Sequence, residues 1–259
     1  MLLTIPNKKI LSLGKQVPLF VYSSLFFLIL ALSCFALIFV DPRSILGVSP
    51  WLKPFKFAIS FSLYLISLSF FLPYLNLSIN KLLYVSRFIA FCVFICMIAI
   101  ILQSFSSTLY QFTWPKEGTD YYYTSLFLIA NFAVIANTAA ASYVFYLFFQ
   151  KTLPISTSYL WGIRFGLLIF LLSSIEGIFM IFYGIYNQSK PLFGNLELPL
   201  ISAHSLANLK TSHFLGIHSL QILPVIGYLL KKQENGFGLI ILIGMIYLFL
   251  WVGLFFIAV

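Results

Sequence analysis

Charge is what this chain has least of. Only 8% of its 259 residues are charged, six of them acidic, and only three are histidine. Hydrophobic residues make up 61%, and a water-soluble domain with so little charge has no polar coat for its surface. A soluble fold is excluded, and the chain reads as a polytopic membrane protein in contact with a lipid bilayer. The three cysteines, Cys34, Cys92 and Cys96, all fall inside apolar runs. No Cys-x-x-Cys pair and no Cys/His cluster at zinc spacing occurs, so they read as packing residues and are silent on redox compartment. P-loop, Gly-x-Ser-x-Gly, His-Glu-x-x-His and dinucleotide-binding patterns are also missing, which leaves nucleotide-driven and serine-hydrolase chemistry without a basis. A net charge of +9 would suggest nucleic acid in a soluble chain. Here the basic residues sit between apolar spans and act as topology signals, with no nucleic-acid partner expected.

What is present is a series of apolar runs, each able to cross ~30 Å of hydrocarbon as a helix. They predict an all-α bundle of seven transmembrane helices in one domain, residues 1–259, with spans near 19–39, 54–72, 85–105, 126–149, 163–183, 213–230 and 239–259. Lys8, Lys9 and Lys15 precede the first run as in a signal peptide, but the run exceeds a usual cleaved core and predicts an uncleaved first helix. Asp41-Pro42 ends it; Trp51 suits an interface and Pro54 a first helical turn. Small residues from Ala136 to Ser142 invite close approach of a neighbouring backbone. The connection from Gly184 to Ser212, which holds His204, has the length of a functional lid or binding loop. The last run has almost no polar side chains and is expected to face lipid or close the bundle.

Lys8, Lys9, Lys15, Lys81, Arg87, Lys151, Arg164, Lys231 and Lys232 fall on one side of seven spans. Arg43, Lys53, Lys56, Lys116, Lys190 and Lys210 fall on the other. This imbalance predicts a cytoplasmic N-terminus and an outside C-terminus.

The remaining polar groups are few enough to be informative, because ionisable side chains inside a membrane helix are costly. On the second span Lys53, Lys56, Ser60, Tyr64 and Ser67 recur at helical spacing, a stripe that predicts a protein-facing side. Glu176 is placed ~10 Å below the outer edge of the core, with Asn131, His218 and Gln221 at ~7 to ~12 Å. Gln103, Lys56 and His213 lie nearer the mouth. The geometry expected from these levels is an outward-opening polar chamber lined by Lys56, Gln103, Asn131, Glu176, His213, His218 and Gln221, with Glu176 and His218 as a coupled pair. The bland alternative is that each residue makes one interhelical hydrogen bond, worth ~0.6 kcal/mol on average.

Three segments, WLKPFKFAIS at 51–60, LQSFSSTLYQF at 102–112 and NLKTSHFLGIHSLQILP at 208–224, resemble a group of uncharacterised bacterial multi-pass inner-membrane proteins. The resemblance implies location in the inner (plasma) membrane and supplies no activity. Where that group has Ser-His-Phe and Asp-Leu-Arg, this chain has Tyr110-Gln111-Phe112 and Asn208-Leu209-Lys210, which removes one histidine and one carboxylate from the outer side. Three classes of function stay open. The first is binding or translocation of a small polar solute or protons. The second is a membrane-embedded enzyme in which Glu176, His213 and His218 hold a metal. The third is a scaffold or sensor whose polar face receives a partner helix. Haem is disfavoured, since both helical histidines lie on one helix and two axial ligands must face each other across the iron. Cofactor content and oligomeric state are otherwise open.

Overall fold

Seven helices, each long and apolar enough to cross a membrane, make up nearly all of the described chain, and no strand occurs among the described residues. The protein is an integral multi-pass membrane protein of all-α class. The computed structural model describes residues 17–44, 47–105, 121–150, 152–188 and 203–258, without the side chains of 123, 181–188, 203–208 and 258. Lys8, Lys9, Lys15, Lys116, Lys151 and Lys190 therefore lie outside the described residues, as does the connection 106–120, and the side chain of His204 is not described.

The helices are α1 (Pro18–Val40), α2 (Leu52–Phe71), α3 (Ile79–Phe105), α4 (Tyr121–Gln150), α5 (Thr157–Gln188), α6 (Ala203–Leu229) and α7 (Gly236–Ala258). Two differ from their expected ranges in a way that matters for the site. Helix α5 runs on to Gln188 and α6 starts at Ala203, so much of the expected loop from Gly184 to Ser212 is helix. Its polar residues masked the continuation, because hydropathy marks where a helix meets hydrocarbon and not where its hydrogen bonds stop.

The chain divides into two compact units. The first comprises residues 1–110 and 119–147, and the second 111–118 and 148–259. In the first, α1 and α2 are joined by a reciprocal serine pair. Ser24 Oγ donates to the Ser62 carbonyl at 3.0 Å, and Ser62 Oγ donates to the Ser24 carbonyl at 2.9 Å. Serine is small enough to admit that approach and leaves neither hydroxyl unsatisfied in the apolar interior. Beside it Phe27 packs on Phe61 and Phe94, and α4 joins through Ala133 against Cys96 and Ile100. The outer side of α1 presents Tyr22, Leu25, Phe26, Ile29 and Leu32, one helical face suited to acyl chains. The expected inward stripe of α2 holds for Tyr64 and Ser67, which are buried, and for half-buried Ser60; Lys56 is exposed.

In the second unit, α5 and α6 pack antiparallel with backbones nearly touching. A Cβ on Gly162 would meet the Leu223 carbonyl oxygen at 2.5 Å, one on Gly227 the Ser158 carbonyl oxygen at 2.5 Å, and one on Gly166 that of Ser219 at 2.9 Å. Pro224 lies in α6 at this level, its ring against Gly166. Helix α7 closes the unit by packing Trp251 on Phe165, Ile169 and Leu223. The close approach expected from the small residues of α4 is thus built most visibly elsewhere, by the Gly162-x-x-x-Gly166 spacing of α5.

Candidate functional site

The α5–α6 contacts fix which polar groups share a level. Ser158 faces Gly227, Gly162 faces Leu223, Gly166 faces Ser219, Ser173 faces His213, Glu176 faces Ser212 and Met180 faces Leu209. Glu176 lies within the apolar span Thr157–Met180 of α5. Its carboxyl is buried, with 3% of its surface exposed. Ser212 Oγ donates to Oε1, and the Trp251 indole Nε1–H donates to Oε2 at 3.1 Å. Helices α6 and α7 therefore converge on one carboxyl group of α5 through neutral donors. The only ion pair among the described residues is elsewhere, between Asp41 and Arg43.

His213 is clamped one turn away. Its Nδ1 is 2.8 Å from the Ser173 carbonyl oxygen and 3.2 Å from Ser173 Oγ, which itself donates to the His213 carbonyl at 2.9 Å. Gly177 makes room for the ring: a Cβ there would lie 2.8 Å from His213 Cε1. Gly216 does the same for Ser173 and Trp251, whose Cβ and Nε1 would lie 2.4 and 2.6 Å from an added Cβ. Tyr247 of α7 completes the wall, donating from its hydroxyl to the Leu215 carbonyl at 2.7 Å.

The expected Glu176–His218 pair is replaced by this arrangement. His218 is six residues beyond Ser212, ~9 Å along the axis, and lies about 140° around the helix from His213. It turns to Gln221, with Nδ1 3.3 Å from Oε1, and packs edge-on against the exposed Phe214 ring. Because α6 begins at Ala203 and not near 213, it is Ser212 and His213 that meet the Ser173 to Glu176 turn of α5, with His218 beyond it.

The other expected chamber residues lie in the first unit and make separate local contacts. Gln103 is buried and accepts from Lys53 Nζ at 3.0 Å; the lysine that reaches it is Lys53, whereas Lys56 is exposed. Asn131 donates to the Phe127 carbonyl of its own helix at 2.8 Å. Thr138 and Ser142 likewise bond the carbonyls four residues back. Tyr64 donates to Asn137 Oδ1 at 3.3 Å, a link between α2 and α4.

At the end of this unit stands a cluster that residue counting reduced to one topology charge. Arg43 grips the Asp41 carboxylate through Nε at 3.0 and 2.9 Å and through Nη2 at 2.5 Å. Trp51 Nε1 donates to Asp41 Oδ2 at 2.7 Å, and Arg43 Nη1 reaches the Phe105 carbonyl at 2.9 Å. The Trp51 and Phe105 rings meet edge-to-face, 5.2 Å apart. The ends of α1 and α3 and the start of α2 are thereby tied together. Arg43 first, then Trp51, holds the Asp41 carboxyl well below the usual carboxylate range.

No three His, Cys, Asp or Glu side chains among the described residues form a group able to hold a metal, so the ligand set of the metal-enzyme class is not assembled there. Comparison with protein-family models, curated proteins and solved structures returns no match.

Proposed function

We propose that the chain is a bacterial inner-membrane protein with a cytoplasmic N-terminus whose α5–α7 unit binds a proton at Glu176, in the service of proton or small polar solute translocation. One observation carries this reading: a buried carboxyl inside a membrane span is held by Ser212 and Trp251, both neutral donors. A carboxylate locked to a cation cannot take up a proton without leaving that cation buried and unpaired. One solvated by hydroxyl and indole groups carries no such penalty, and an intramembrane carboxyl of this kind is the usual element of a proton path. A purely structural Glu176 would be replaceable by Gln, which keeps the shape and the acceptor oxygen.

Infrared difference spectra of the full chain in lipid, recorded between about pH 4 and about pH 10, test the proposal. A carboxylic C=O band that titrates in the wild type and is missing in Glu176→Gln is expected. Identical spectra for the two proteins would overturn it.

A further inference from the structure

We infer that His213 is the second proton-carrying group of this site, held through Nδ1–H by Ser173 and presenting Nε2 as the acceptor. The inference rests on Glu176 being a proton-binding group.

The tautomer follows from the atoms around Nδ1. The Ser173 carbonyl oxygen, 2.8 Å away, can only accept, so Nδ1 carries the hydrogen. Ser173 Oγ donates to the His213 carbonyl at 2.9 Å, so at 3.2 Å from Nδ1 it too faces the ring as an acceptor. A neutral imidazole with hydrogen on Nδ1 has its lone pair on Nε2. Protonation there leaves both Ser173 contacts intact, because Nδ1 donates in either charge state. The ring is therefore fixed in place while its charge is free to change.

The link to Glu176 is reciprocal. Ser212, the residue before His213, donates to the carboxyl, while Ser173, one turn before Glu176, holds the imidazole. The two groups are not in direct hydrogen-bond contact, the carboxyl being held by Ser212 and Trp251 and the ring by Ser173. Transfer of a proton from the Glu176 carboxylic acid to His213 Nε2 would therefore pass through an intervening water or solute hydroxyl, breaking one O–H bond at Glu176 and forming one N–H bond at the ring. It would leave a carboxylate and an imidazolium, with no change in net charge, so the bilayer interior would see a dipole and not a new isolated ion. The other groups on the packed elements are Trp251, which donates to the carboxyl, and Tyr247, which donates to the Leu215 carbonyl, both from α7. On α6 itself Lys210 is exposed, and His218, hydrogen-bonded to Gln221, is close enough for its charge to act on His213. None of these is placed by its contacts to substitute for the carboxyl. Gly177 is what lets the ring pack on α5 next to Ser173, since any side chain there would displace it.

The test is nitrogen-15 magnetic resonance of the full chain, labelled at histidine and held in lipid, through a pH series. His213→Asn identifies the resonances; if it does not fold, a His204→Asn, His218→Asn double variant leaves His213 alone in the spectrum. The expected neutral spectrum has the hydrogen on Nδ1 and becomes doubly protonated on acidification. In Glu176→Gln the midpoint should move toward acid by about one pH unit or more, the effect of removing a nearby carboxylate. Gly177→Ala should abolish the Nδ1–H signature. A hydrogen on Nε2 in the neutral form, or a midpoint unchanged in Glu176→Gln, would overturn the inference. A titrating Glu176 infrared band beside such a result would leave the proton-binding reading standing, whereas loss of that band removes both.

Discussion

Asp41 illustrates at the scale of one residue how hydrogen-bond partners set pH behaviour. Its carboxyl is held below the ordinary carboxylate range in the folded protein by Arg43 and Trp51. A depressed folded-state value means the clamp contributes its stability fully above the ordinary carboxyl titration and loses it only as pH falls below that range. Asp41→Asn should therefore lower the thermal midpoint by the same amount at about pH 6 and about pH 8, and by less at acid pH as the wild type loses its own advantage. A deficit that instead grew on acidification would refute the clamp. Sequence marked Glu176, Gln103 and His213 as polar groups out of place in hydrocarbon, and each has a polar partner in the structure. It could not mark Ser212, Ser173 or Trp251 as their partners, because these residues are unremarkable in a membrane helix until a neighbour's position is known. The one signal available was a tryptophan near the end of an otherwise apolar helix, whose N–H wants an acceptor.

At the scale of elements, the contact between α5 and α6 depends on glycine. The Cβ of Gly162→Ala would lie 2.5 Å from the Leu223 carbonyl oxygen, and that of Gly166→Ala 2.9 Å from the Ser219 carbonyl oxygen. Backbone atoms cannot rotate away, so each substitution should destabilise by about 1–3 kcal/mol. An added Cβ at Gly253 of α7 meets nothing within 4 Å, and Gly253→Ala should be neutral or gain up to ~1 kcal/mol of helix propensity. Equilibrium unfolding in mixed micelles ranks the three variants; equal effects at Gly162 and Gly253 would contradict the packing. The Gly162-x-x-x-Gly166 spacing is legible in the sequence as a close-packing motif, as is the small-residue stretch of α4 from Ala136 to Ser142. Small residues permit close approach without choosing the partner, and that choice is made by the whole surface of the facing helix.

At the scale of the molecule, the Lys/Arg imbalance predicts that the α6–α7 turn at Gln233 to Asn235 lies in the cytoplasm. The native cysteines Cys34, Cys92 and Cys96 are buried, so a cysteine introduced at exposed Glu234 should be labelled by an impermeant maleimide only after the membrane is opened. Labelling in intact cells would invert the topology. The fold class and all seven spans were determined by sequence alone, because a bilayer allows a long apolar run one solution, a helix with its backbone bonded internally. Which turns of those helices face one another was decided only by tertiary packing. Glycine contacts set the α5–α6 register, that register put Ser212 on Glu176 and His213 on Ser173, and it carried His218 ~9 Å along the axis from Ser212. Hydropathy has no term for register: sliding one apolar helix along another by a turn leaves the composition of each unchanged and alters only which backbone atoms and small side chains meet.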